Sequence, residues 1–185
     1  MKRKVILVTD GDQNAKEALE VVARNVGGRC ISLSVGNPTP LSGEMIVNLI
    51  KLAHHDPVLV MFDDCGHAKV GLGEKALHYV ATHPDIQVLG VLAVASNCYK
   101  GKGTPIQMSV DRYGRVINEG VDKNGNKQKH LPKRIYGDTV GVLNELPIPV
   151  VIGIGDIGKM DHRDHISKGC PITTKAVQLI LQMYR

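Results

Sequence analysis

The sequence has no tryptophan and one phenylalanine, Phe62, and aromatic residues make up only 3% of its 185 positions. Single-stranded nucleic acid is usually held on aromatic platforms, so this scarcity argues against a nucleic-acid partner. Long hydrophobic runs are also missing. No stretch approaches the roughly 18 apolar residues that a spanning helix needs, so no transmembrane segment is expected. The apolar run behind the basic start Met1-Lys2-Arg3-Lys4 stops at Val8, too short for the core of a signal peptide. Cys30, Cys65, Cys98 and Cys170 contain no CxxC pair, which argues against the common zinc and redox patterns and predicts reduced thiols near strand ends.

The formal net charge is +5, with acids and bases interspersed along most of the chain. The densest basic stretch, 123–134, contains Gly and Asn and reads as a solvated loop. Hydrophobic residues make up 43% of the chain, and with so few rings the core must be mostly Val, Ile, Leu and Ala. A chain of this length supports one compact domain, residues 1–185, around one good core.

Residues 5–9 are a short β-favouring run without alternation, which suits a strand covered on both faces. It leads into Asp10-Gly11-Asp12. Asp12 is placed to cap a helix whose apolar stripe, from Ala15 to Val26, ends at Gly27-Gly28. A strand is read at 30–35, a helix over 42–54, a strand at 58–62 ending in Asp63-Asp64, and a helix over 70–82. The longest apolar run, 86–95, reads as a central strand. Period-two alternation over 106–117, with a turn at 111–114, reads as a β-hairpin near 105–121, either an insertion or an antiparallel edge. A helix over 137–146, a strand at 150–152 and a helix from Thr173 complete the chain. This alternation predicts an α/β fold: a single mostly parallel sheet of about five strands with helices on both faces, Rossmann-like or Toprim-like.

Asp10, Asp12, Asp63, Asp64 and Asp156 all fall at the carboxyl ends of predicted strands, the edge where open α/β sheets carry ligands. Crowded carboxylates repel one another unless a cation intervenes, so Mg²⁺ or Ca²⁺ is the natural occupant of a shared site. The plainer reading makes Asp12 and Asp64 helix caps or turn formers. Lys159 is a candidate for binding an anion. Gly153-x-Gly155-x-x-Gly158 matches a dinucleotide fingerprint, but no apolar helical stripe follows it, so a glycine-rich turn is the better reading. His162 and His165, with Asp161 and Asp164, read as a solvated loop, since no zinc-site cysteines accompany them. Cys65, Cys98 and Ser96 have neither an adjacent base nor a nucleophile elbow, and no catalytic residue is assigned.

Over essentially its full length the chain resembles the stage V sporulation protein AE family of endospore-forming bacteria. The resemblance is carried by VILVTDGDQNAKEALE at 5–20, LSGEMIVNLI at 41–50, VMFDDCGHAKVGLGEKAL at 60–77, VASNCYKGKGTPIQMSVDRYG at 94–114 and GIGDIGKMDHRDHISKGCPITTKA at 153–176. It implies a non-enzymatic component of the set of proteins that take up dipicolinic acid, as its calcium complex, in sporulation and release it in germination. The implied partners are the other proteins of that channel set, with self-association as a further arrangement, and the implied location is the spore, soluble or peripheral at the inner membrane. A weaker resemblance, of Asp10-Gly11-Asp12 to the Asp-x-Asp motif of the Toprim fold, offers the alternative of a divalent-metal phosphotransferase or phosphohydrolase. That fold places a glutamate on its first strand and the aspartate pair on a later one, and this chain departs from both.

Overall fold

The computed structural model describes residues 1–64, 71–97 and 103–184. Its strands are β1 (Arg3–Val8), β2 (Arg29–Cys30), β3 (Val58–Met61), β4 (Ile86–Val94), β5 (Thr104–Pro105), β6 (Met108–Val110), β7 (Val116–Ile117), β8 (Glu119–Val121), β9 (Lys127–Pro132), β10 (Arg134–Ile135) and β11 (Val151–Ile154). The helices are α1 (Gln13–Asn25), α2 (Gly43–Leu52), α3 (Leu72–Thr82) and α4 (Pro171–Met183). Seven strands form the main sheet in the order β2-β3-β1-β4-β11-β6-β7. All of its pairings are parallel except β6–β7. The expected α/β sheet is therefore present, and β4 lies at its centre.

α1 and α4 cover one face of the sheet, and α2 and α3 cover the other. The split follows from chain direction. β1 connects to β2 on one side, whereas β2 to β3 and β3 to β4 run the opposite way, and right-handed crossovers then place their helices on opposite faces. β1 and β3 are buried on both sides, which explains their unbroken apolar runs; Ile6, Leu7, Leu59 and Val60 are all 0% exposed. Each such side chain contributes about 1.5–3 kcal/mol by leaving water. Phe62, the lone phenylalanine, is fully buried with them.

Local signals set the helix ends. The Asp12 carboxylate accepts from Ala15 N at 2.8 Å and starts α1. At its far end Gly27 has φ +73°, Gly27 N donates to Arg24 O and Gly28 N donates to Ala23 O, a Schellman closure. Ser42 caps α2 through Met45 N at 3.2 Å.

Three stretches differ from the sequence reading. Residues 30–35 give only the end of β2 and then a 3₁₀ turn, Ser32–Ser34. There the buried Ser34 hydroxyl accepts from Met61 N at 3.1 Å, taking the place of a ladder bond. Residues 137–146 form a 3₁₀ turn, Gly141–Glu145, rather than an α-helix. Gly141 and the prolines at 147 and 149 leave too little chain to propagate one. The basic stretch 123–134 is not simply a solvated loop. It contributes to the antiparallel pair β8–β9 and to β10, which pairs with β5. The hairpin at 106–117 forms as expected, but β6 lies parallel to β11, so it extends the main sheet.

Candidate functional site

The carboxyl ends of β1, β3, β4 and β11 open into one crevice of about 150 Å³, lined among others by Asp10, Asp12, Asp63, Ser96, Asp138 and Asp156. It lies where the connection from β1 leaves toward one face and that from β3 toward the other, the usual position of a ligand site in an open sheet. The strands of Asp10 and Asp156 are not neighbours, since β4 runs between them, yet their turns converge above it.

The crevice walls are fixed by side chains bonding across strands. Thr9, just past β1, accepts from Val94 N at 2.9 Å and so ties β1 to β4. Thr39 accepts from Asp63 N at 2.8 Å and donates its own N–H to Asp63 O at 2.9 Å. Gly11 O accepts from Gly36 N at 2.8 Å. A Cβ on Gly11 would sit 2.5 Å from Gly36 O and 2.8 Å from Asp63 Cβ, so only glycine lets these two loops cross.

The acids fall into two groups. Lys159 Nζ lies 2.6 Å from Asp12 Oδ2 and 3.6 Å from Asp156 Oδ2, serving as a built-in cation between them. Burial works against the lysine's charge, but its bond to Asp12 and the field of Asp156 leave it firmly protonated. Burial raises the Asp156 carboxyl despite Lys159. Asp10 is pushed up to about 7, first by burial and then by the charges of Asp12, Asp156 and Asp63. Asp10 accepts from Asp12 N at 3.3 Å, and near neutral pH it carries a proton for part of the time.

The residues singled out in the sequence are thus brought together with one exception. Asp64 does not line the crevice. It is 3% exposed, and its carboxylate accepts from Gly73 N at 2.7 Å and Glu74 N at 2.5 Å, capping α3 from eight positions before that helix starts. Lys159, read as an anion binder, is engaged by Asp12 and Asp156. Asn37 and Asp138 were not singled out. Asn37 falls between the predicted strand and helix, where no element is read, and Asp138 in the expected helix over 137–146; Asp138 accepts from Ser96 Oγ at 3.1 Å.

The oxygen-only donors of the crevice suit a hard cation, and its volume suits an ion or a few waters rather than a nucleotide. Among the described residues, no three His, Cys, Asp or Glu side chains are grouped closely enough to hold a metal ion as they stand. His162 and His165 meet edge to face at 5.5 Å, and Asp161 pairs with Arg112. Asp164 is completely buried, unlike the solvated loop around it. Cys65 and Cys98 lie outside the described residues, whereas Cys30 and Cys170 are free thiols raised by burial to about 12.

No α-helix opens at Gly153-x-Gly155-x-x-Gly158, so the fingerprint reading fails on geometry. Gly155 instead admits the backbone of Lys123 and Gly125, and Gly158, at φ +74°, packs on α1 at Asn14 and Ala18. No described helix is long and apolar enough to cross a membrane. No curated protein and no solved structure matches the chain. A family model described as stage V sporulation protein AE1 matches residues 4–183, nearly the whole length, and the protein belongs to that sporulation family.

Proposed function

We propose that the protein acts in sporulation and germination as a non-enzymatic component of the machinery that moves dipicolinic acid, as its calcium complex, into and out of the spore. The observation carrying this reading is the family match over residues 4–183. The protein would work through the other proteins of the channel set, soluble or peripheral at the spore inner membrane, alone or as a homo-oligomer. A family role in sporulation and the lack of a spanning helix among the described residues both support such a part.

The crevice is the proposed ligand site. Asp10, Asp12, Asp63 and Asp156 would contact the ligand, and Asp64 supports the wall through the bond from its N–H to Asp63 Oδ1, 2.7 Å long. A divalent cation entering beside Asp10 would displace the proton that this residue holds up to about pH 7. Calcium or magnesium binding would therefore release protons. The alternative of metal-dependent phosphoryl transfer asks for a cationic cradle at the same edge, and Lys159 is already spent on Asp12 and Asp156.

The test is genetic. Spores lacking the gene should contain less dipicolinic acid, or release it more slowly in germination, and the wild-type gene should restore both. Normal content together with normal release would overturn the proposal. Calorimetric titration with Ca²⁺ in two buffers of different ionisation enthalpy would check the site. Proton release that is absent in Asp10→Asn is the expected result, and identical titrations of both proteins would reject the cation reading.

A further inference from the structure

A second concavity, of about 380 Å³, shares no lining residue with the acidic crevice. It lies between the β6–β7 turn and the start of α4, and its charged walls are Arg112, Arg163, Lys168 and Lys175. Pro171 and Ile172 belong to its lining at the helix start, and among the described residues no acidic side chain lines it.

The cations are held in place by structure around them. Asp111, 2% exposed, accepts from Tyr113 N and Arg115 N, both at 2.9 Å, and pairs with the Arg115 guanidinium. This fixes the turn and presents Tyr113, which is 59% exposed. Three guanidiniums gather at that ring: Arg163 at 4.6 Å from its centroid, Arg115 at 4.9 Å and Arg112 at 5.9 Å. Cation–π contacts of this kind contribute about 0.5–1 kcal/mol each at exposed sites and hold several like charges in one place. Lys175 reaches across from α4 to Gly114 O at 2.6 Å.

Charge balance leaves this cluster positive. Asp111 offsets Arg115 and Asp161 offsets Arg112. Among the described residues, no carboxylate lies within ion-pair distance of Arg163, Lys168 or Lys175. Asp164 lies beneath, fully buried, with its oxygens turned to the backbone of Gly158, Ile172 and Thr173. Because it already takes the N–H groups that begin α4, the helix end is not itself the attraction. The volume is that of a small-molecule pocket. A planar guanidinium with two ammonium groups matches a tetrahedral, multiply charged oxyanion better than a single carboxylate, which would leave excess positive charge.

We propose that this pocket binds a small oxyanion of the phosphate type carrying two or more negative charges, such as a diphosphate or a phosphorylated metabolite. It is a site separate from the crevice, and it does not depend on the function proposed for the chain. The probe is inorganic pyrophosphate, titrated calorimetrically into the wild-type protein at low and at raised salt. Binding should weaken as salt rises. It should fall about tenfold or more in Arg163→Gln with Lys168→Gln, both exposed positions, with the thermal midpoint lowered by no more than about the few degrees that losing the Arg163–Tyr113 contact explains. Asp10→Asn, in the crevice, should bind pyrophosphate as the wild type does. A second arm adds vesicles of phosphatidylcholine with phosphatidylglycerol, to separate a free ligand from a lipid headgroup. Three outcomes overturn the proposal: no pyrophosphate binding at millimolar concentration, binding that the double variant keeps, or vesicle binding that pyrophosphate does not displace.

Discussion

Lys159 Nζ lies 2.6 Å from Asp12 Oδ2, joining the turn after β11 to the residue that caps α1, across 147 positions of sequence. The lysine provides the positive charge that the crowded carboxylates require, and it also touches Asp156. Lys159→Met should therefore destabilise the protein at pH 7. Both partners are more than a third exposed, so the loss is on the order of 1 kcal/mol, and it should shrink in concentrated salt. Urea denaturation at low and high ionic strength measures it. Equal midpoints for both proteins would mean that the pair adds nothing to stability.

Asp10 makes stability depend on pH in an unusual direction. Its carboxyl is raised from 3.8 to about 7 in the folded chain, chiefly by burial. Between those values the folded state binds more protons than the unfolded one, so stability falls as pH rises and levels off above about 7. Most carboxylates with lowered values act in the opposite sense. Asp10→Asn should remove this slope: near wild type at pH 4, and more stable at pH 8 by on the order of 1–2 kcal/mol, discounted for its part-exposed position. Denaturant midpoints across pH 4–9 decide it, and parallel profiles would eliminate Asp10 as the titrating group.

The legibility of the sequence followed the range of the forces involved. The strand-ending acids were readable because an unbroken apolar run followed by Asp and Gly can be recognised within ten residues. That four of the five aspartates line one crevice depended on strand order, which one-dimensional pattern does not carry. Asp64 fits the plainer reading of a helix cap or turn former rather than that of a ligand residue, although its helix starts only at Leu72, beyond the usual capping spacing. The 3₁₀ turn at Gly141–Glu145 was misread because its apolar residues imitate a helical stripe while its glycine and flanking prolines decide the outcome. Arg163 and Tyr113, 50 positions apart, meet only because α4 and the β6–β7 turn are packed together.

The placement of Asp64 leads to an expectation opposite to that for a ligand residue. Its two bonds to Gly73 N and Glu74 N satisfy the first turn of α3. Asp64→Ala should cost about 1–2 kcal/mol, the range for losing a helix cap. Asp64→Asn, which keeps one acceptor oxygen, should lose less. Calcium titration of Asp64→Asn should match that of the wild type, because Asp64 does not line the crevice. A variant of unchanged stability that no longer binds calcium would return Asp64 to the ligand site.

Asp164, outside the crevice, is engaged through both of its carboxylate oxygens. One oxygen accepts from Ile172 N at 2.8 Å and Thr173 N at 3.0 Å; the other accepts from Gly158 N at 3.1 Å and from the Thr173 hydroxyl. It therefore caps α4 and fastens that helix to the glycine turn that carries Asp156 and Lys159. With Asp164 0% exposed, truncation would strand several buried donors, each costing about 1–3 kcal/mol unless water enters. Asp164→Ala should lower unfolding stability by roughly 3 kcal/mol or more. Asp164→Asn should fall between that variant and the wild type, since its amide nitrogen cannot accept. Because the turn would loosen as well, proton release on calcium binding should weaken in Asp164→Asn although the residue lies outside the crevice. Stability equal to wild type in Asp164→Ala would mean that α4 starts without this carboxylate, and the link from helix to crevice would then have to be dropped.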